Sequence, residues 1–561
     1  MSQSAASAAA LPVPPRTMVL GLASAVPANL SHAPISGILG VVLGAGVVTL
    51  AGRLLSLGLA DLKGNIGISF DAGAWLSTAF NVGLMFIAIF TVYLGALLGP
   101  RRVLLGAAAI FTLVSLYLPF VHSYSLMIVL LAIAGLSSGT FYPLTLTFAL
   151  RNIPLPFLPY TIALYATSVE AAVNFAPFLY GFERDQLSWH WMFWTAAVIT
   201  PVMMMCIYHG IPPSSRPAGT RPAPPSFAGV FYLSIGFALL YAALDQGQRL
   251  DWWRSGVFTS LFLAGSLLLL SSLFRRLRGA NPLVALPYLH KWNTQVCAFL
   301  LFLFRFSLLA TIIVIPGSLA VRGLEPSQYA PAVLWTAVPE LGLAFLGAYL
   351  LSRGMDTRLI LAFGFACTGL ACWLNATYSA DWSAQNYFRT ELLTAVGQSF
   401  AFLGLVSTLI LQGLFTGGLA KPPWILTFSA FFHTVRLFGG QIGVVLMTHF
   451  IADREKLHSN LLGLHVQRGA SITDANLHGL TAALASKSAG LGAATGRAAG
   501  VIGGRIRLEA YALTYIDAFY FIAWACVLAL LLIAVLRRSP LNYAQIIQLQ
   551  AVSEKNKEAQ S

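Results

Sequence analysis

Residues 37–60 read GILGVVLGAGVVTLAGRLLSLGLA, twenty-four residues with one charge, Arg53. As a helix rising 1.5 Å per residue, the stretch is about 36 Å long, enough to cross a hydrocarbon layer of about 30 Å. Its apolar residues run on without alternating, whereas a membrane β-strand would alternate over about ten residues. Thirteen more stretches of this kind follow, at about 74–97, 102–121, 125–149, 160–181, 190–210, 227–245, 255–274, 294–320, 330–351, 358–377, 391–416, 422–451 and 513–536. This pattern predicts an all-α polytopic membrane protein of fourteen spans.

Composition agrees. Of 561 residues 57% are apolar and only 9% charged, and the mean hydropathy is +0.76. A soluble domain carries roughly a quarter charged residues, so most soluble enzymes and secreted disulfide scaffolds are excluded. The net charge of +14 is spread over short connections, which argues against a nucleic-acid partner. Cys206, Cys297, Cys367, Cys372 and Cys526 fall in or near apolar runs without metal-ligand spacing, as small hydrophobes do. No GxxxxGK[ST] loop or HExxH pattern occurs, and Gly135-Leu136-Ser137-Ser138-Gly139 only superficially imitates a nucleophile turn. No enzyme activity, catalytic residue, metal or cofactor is expected.

Loop charges give an independent test of the span count. With the N-terminus inside, the short inner connections hold Arg101, Arg102, Arg151, Arg216, Arg221, Arg275, Arg276, Arg278, Lys291, Arg353, Arg358 and Lys421 against Asp356 alone. The outer connections are mixed, with Asp61, Lys63, Asp71, Glu183, Arg184, Asp185, Asp245, Arg249, Asp251, Arg254, Arg322, Glu325 and Asp381. That bias puts both termini in the cytoplasm, with a tail over 1–36 and another over 537–561. Arg16 before a short apolar run imitates a secretory signal, but Pro27 and the span at Gly37 favour an uncleaved tail. One long outer loop, 452–512, is expected to be a helix leaving the membrane, a flexible Gly/Ala-rich middle and a helix returning.

Ionisable residues inside spans are costly unless they face a cavity or a partner. Glu170 and Asn174 lie one turn apart in span 5, and the carboxyl there can carry a proton or hold an ion pair. Arg53 in span 1 and Arg305 in span 9 can each neutralise an anion or pair with an acid, and Glu340 in span 10 is a second proton candidate. Arg436 and His433 lie deep in span 13, while Arg389 and Glu391 are expected to snorkel to the interface. Tyr142, Tyr165 and Tyr180 offer rings and hydroxyls to an amphipathic ligand. Pro177 marks a bend in span 5, and the Gly135–Gly139 and Gly439–Gly443 spacings allow close helix approach.

Several runs together carry a family likeness: Gly64-Asn65-Ile66-Gly67 through Gly73-Ala74-Trp75-Leu76-Ser77-Thr78-Ala79-Phe80, Gly135 through Leu146 with Arg151-Asn152-Ile153-Pro154, Trp189-His190-Trp191-Met192-Phe193-Trp194 with Pro201, Asp245-Gln246-Gly247 with Leu250-Asp251-Trp252, Asn281-Pro282-Leu283-Val284 with Leu286, and Arg436-x-x-Gly439-Gly440-x-x-Gly443 followed by Arg454-Glu455 and His458. In this order and spacing, from about Gly37 to Arg538, the chain resembles the fourteen-span drug:proton antiporters of the major facilitator superfamily, the multidrug and fatty-acid exporters that work with a periplasmic adaptor. The resemblance implies a six-helix bundle over 37–210, two inserted helices over 227–274, and a second six-helix bundle over 294–536 that rocks against the first. It also implies a bacterial inner membrane, and a periplasmic adaptor with an outer-membrane channel as partners.

The chain departs from that family at Ala51, where an acid is usual, in the shortened basic loop Gly95 through Arg102, and at Ala176-Pro177 with Gly181 in span 5. These departures move the expected proton carrier to Glu170 or Glu340. Arg53 and Arg305, with Asn174, Tyr142, Tyr165 and Tyr180, become the expected contacts of an anionic or neutral amphiphile. Pro177, Gly181, Arg436, Gly439, Gly440 and Gly443 are left to packing or gating. The expected function is proton-coupled efflux; an organic-anion importer or facilitator, and a non-transporting scaffold or sensor, are the alternatives.

Overall fold

The computed structural model describes residues 34–153, 157–210, 226–278, 290–415, 422–467 and 469–548. The N-terminal tail before residue 34, the C-terminal residues from 549, and the loop positions Arg216, Arg221, Asn281 through Leu286, and Lys421 lie outside them. So do the side chains of Arg151, Arg276 and Arg278.

Among the described residues, fourteen helices are long and apolar enough to cross a membrane. They are α1 Ile35–Ile66, α2 Phe70–Leu98, α3 Pro100–Phe120, α4 Tyr124–Leu150, α5 Leu158–Leu187, α6 Trp191–Gly210, α7 Phe227–Gly247, α8 Gly256–Arg275, α9 Trp292–Ala320, α10 Pro326–Ser352, α11 Thr357–Asn375, α12 Ala384–Gly413, α13 Pro422–Gly463 and α15 Leu491–Val535. One further helix, α14 Ser471–Ala485, joins the last two. We call the face from which α1 starts proximal and the opposite face distal.

α1 packs on α5 and α6, and α2 on α4; beyond a shared bundle interface, α11 packs on α12 and α15. Glycines set the closest approaches. A Cβ on Gly135 of α4 would lie 2.8 Å from the carbonyl carbon of Phe80 on α2, and one on Gly364 of α11 would lie 2.6 Å from the Cα of Ala401 on α12. The two bundles meet most extensively along α5 and α10. There Gly181 faces the backbone of Ser327, and a Cβ would stand 2.7 Å from its Cα. At this distal end Arg184 also pairs with Glu325. Toward the proximal end Thr147 of α4 donates to Ser429 of α13 at 3.1 Å, so the bundles touch on both faces.

The inserted pair sits to one side. α7 packs on α2 and touches α13, while α8 leans chiefly on α7 and is the least buried span. Asp245, expected in an outer connection, instead closes α7, accepting hydrogen bonds from Thr78 of α2 and from Gln441 of α13 at 2.9 Å.

The long loop also differs from expectation. α13 runs for 42 residues and α15 for 45, each about twice the hydrocarbon thickness, and the Gly/Ala-rich stretch is helical on both sides of a turn at 486–490. Ala494 and Ala498 are fully buried there, because small side chains let α14 lie close against α15. At the base of this projection Asp517 receives Arg454 at 2.8 Å and His458 at 2.7 Å.

Candidate transport site

α5 presents Glu170 and Asn174 to the seam between the bundles, both about 1% exposed. Asn174 Nδ2 donates to Glu340 Oε1 on α10 at 3.0 Å and to Gln398 Oε1 on α12 at 2.9 Å. Gln398 Nε2 in turn donates to Thr311 Oγ1 on α9 at 3.2 Å. One carboxamide thus ties the first bundle to two helices of the second, and through Gln398 to a third. Neither oxygen of Glu170 has a hydrogen-bond partner among the described residues. The charges that act on it are the carboxyl of Glu340 and the guanidinium groups of Arg436 and Arg305.

Arg436 comes from α13. Its Nη2 donates to Tyr142 Oη at 3.0 Å, and its guanidinium carbon stands 4.3 Å from the Tyr142 ring centre. Tyr142 Oη also shares a proton with Thr49 Oγ1 at 2.6 Å, and its ring stacks on His433 at 5.1 Å. His433 Nε2 meets Tyr165 Oη at 3.1 Å. Residues of α1, α4, α5 and α13 therefore form one polar patch across the seam. Neither Arg436 nor Arg305 has an acid in ion-pair contact among the described residues. Arg305 Nε is buried without a partner, and a Cβ on Gly440 would lie 2.9 Å from it, so that glycine makes room for the guanidinium.

Not every expected residue joins this patch. Arg53 Nη2 donates to the carbonyl of Ile312 at 3.0 Å, within the π-helical turn Ala310–Val314 of α9. A widened turn shifts the hydrogen-bond ladder and leaves a carbonyl open to such a donor. Tyr180 lies ten residues beyond Glu170, about 15 Å along α5, and donates to Asp61 on α1. Pro177 is buried within α5 between the two. Gly439 and Gly443 face Phe302 and Phe306 of α9. Glu391, expected at the interface, is fully buried and accepts a hydrogen bond from Thr336, while Arg389 is exposed. Gln398 and Thr311 escaped the sequence reading because uncharged polar residues are common in spans and carry no charge signal.

Two bundles with polar side chains meeting on a central seam are the architecture of a membrane carrier. The Major Facilitator Superfamily profile matches residues 41–453, and the chain belongs to that family of transporters, not to an enzyme family. It is 24% identical over 433 residues to the multidrug export protein EmrB of Haemophilus influenzae, covering 76% of this chain and 82% of that one. It is 23% identical over 454 residues to the fatty acid resistance protein FarB of Neisseria gonorrhoeae, covering 80% and 85%. The solved structure of the proton:xylose symporter XylE bound to 6-bromo-6-deoxy-D-glucose shares the fold, with a TM-score of 0.52 at 12% identity over 92% of this chain and 98% of that one.

Proposed function

We propose that the protein exports amphipathic organic compounds, anionic or neutral, across a bacterial inner membrane in exchange for protons. The observation that carries this reading is the setting of Glu170, a buried carboxyl without a hydrogen-bond donor among the described residues, with two guanidinium groups acting on it. Its charge state then answers to whatever else occupies the seam. An anion drawn to Arg305 and Arg436 competes with the Glu170 carboxylate for the same positive field, so the charge state of Glu170 and the occupancy of the seam are linked. Exchange needs the further condition that the two loads bias opposite access states. Glu340, held by Asn174, is the second acid within reach of the step, and Tyr142 and Tyr165 orient the ligand.

In this reading the basic proximal face is cytoplasmic, and both termini are cytoplasmic with it. The distal projection of α13, α14 and α15 is then periplasmic, where it offers a surface to an adaptor protein and, through it, to an outer-membrane channel. The relatives named as export proteins support the direction.

Purified protein in sealed vesicles, given anionic, neutral and cationic amphiphiles under pH gradients of both signs, tests charge preference, direction and coupling together. Proton movement that depends on an anionic or neutral probe and is lost on Glu170→Gln is the expected result. Preference for permanently cationic probes would overturn the charge assignment, and absence of flux with every probe would leave the scaffold reading.

A further inference from the structure

In the proximal half of the molecule, α2, α7, α9 and α13 line a cavity of about 780 Å³ that the polar patch does not use. Its wall is apolar, built from Ile89, Val230, Phe299, Phe302, Phe431 and Phe438, and only Gln295 and Thr434 bring side-chain polarity. The lining on α13 runs from Ala430 to Ile442, about 18 Å along the helix axis. The inserted helix α7 makes one side: Val230 and Tyr241 form with Met85 and Ile89 an apolar cluster separate from the main core. The flank is open to the surroundings, for Phe299 is 44% exposed.

The end of this cavity away from the proximal face is where the chemistry changes. Phe302 and Gly439 line it, and Arg305 stands one turn beyond Phe302 with its guanidinium against Gly440. A long apolar chamber that ends beside a cation without an ion-pair partner among the described residues has the polarity profile of one kind of ligand. We infer that this cavity seats the hydrocarbon tail of a single-chain amphiphile whose anionic head is held by Arg305. Its volume lies within the range of about 300–1,000 Å³ for sites that bury one drug-sized molecule. Its depth and open flank put the tail at the level of the acyl chains of the surrounding leaflet. The fourth wall explains what the inserted pair adds: α7 deepens a seam between α2 and α13 into a chamber that stays open on one flank.

This inference rests on the transport reading for its purpose, but it is tested by binding alone. The probe is a dodecyl sulfonate carrying a diazirine at the tail end, whose head stays ionised at every working pH. Full-length protein in nanodiscs of zwitterionic lipid is illuminated with it, and the labelled residues are mapped. Labels on α7, α9 and α13 at the cavity are expected, competed by unmodified dodecyl sulfonate and not by dodecyl trimethylammonium. Ala298→Trp, which fills the chamber, should weaken binding at least tenfold. Arg305→Gln should weaken the sulfonate tenfold and leave dodecanol within twofold, whereas a merely structural role for Arg305 would weaken both. Labels confined to Tyr142 and Tyr165, labels that unmodified sulfonate does not displace, or equal competition by the cation would each overturn the inference. Should Ala298→Trp fail to fold, the map on the unaltered protein decides. Cavity labelling without proton-linked flux would sink the transport reading and leave this site standing.

Discussion

Glu170 and Asn174 sit one turn apart on α5, yet one has no hydrogen-bond partner among the described residues while the other donates to two helices of the second bundle. Their substitution should therefore fail in different ways. Glu170→Gln should retain binding of an anionic probe within about threefold and lose pH-driven flux at least tenfold, read by equilibrium binding and by vesicle transport on the same preparation. Asn174→Ala leaves Glu340 and Gln398 without their common donor. A buried polar group left unpaired costs about 1–3 kcal/mol, so this variant should melt at a lower temperature as well as transport poorly. Tyr142→Phe keeps the ring under His433 but removes the hydroxyl that receives Arg436 and meets Thr49. The charge-assisted bond it loses is of the kind worth about 1.5–3 kcal/mol, and a melting curve that does not move would contradict its place in the patch. The charged members of the patch were legible in the sequence, because a guanidinium or carboxyl inside a span needs a partner or a cavity. Thr49, Thr311 and Gln398 beside them were not. The carbonyl of Ile312, which receives Arg53, belongs to a turn whose widening no residue type announces.

At the level of elements, the spans could be read because each buries or exposes apolar surface continuously over the membrane thickness. Their partners could not, since a stripe of Gly and Ala fits many surfaces. Gly135 on α4 shows what the stripe does: α2 approaches so closely that no side chain fits. Gly135→Val should cost about 1–3 kcal/mol from overpacking and lower the melting temperature, while Gly342→Ala, with open space beside it, should not. The Gly/Ala run that opens α15 misled for the same reason, its small residues serving a helix contact and not flexibility. Outside the membrane, the connection between α10 and α11 is pinned by Asp356. Burial works against this carboxylate, but hydrogen bonds from Arg358 and the charges of Arg358 and Arg538 hold it below its usual range. A carboxyl whose folded value is depressed adds stability above its unfolded value and loses it as the pH falls through the folded one. Asp356→Asn should therefore lower the melting temperature at pH 7, and the difference should shrink as the pH falls below about 4, toward and past the ordinary range of an aspartate.

For the whole molecule, the contacts on the two faces make a mechanical statement. A carrier that rocks must part Arg184 from Glu325 in one half of its cycle and Thr147 from Ser429 in the other. Cysteine pairs at 184 with 325 and at 147 with 429, oxidised in separate proteins, should each stop flux and release it on reduction. Flux that continues through either cross-link would show that the bundles do not hinge about this seam. The inserted helix crosses it too, since Asp245 at the end of α7 takes one hydrogen bond from each bundle.

The stretch of α15 from Leu491 to about Leu513 forms a stiff arm of roughly 30 Å that continues, without a break, into the second bundle. Were that bundle to turn by about 15°, an angle known for subunit rotations, the arm's tip would sweep roughly 8 Å. A fluorophore at its far end would then signal which way the carrier faces, like a pointer on a dial.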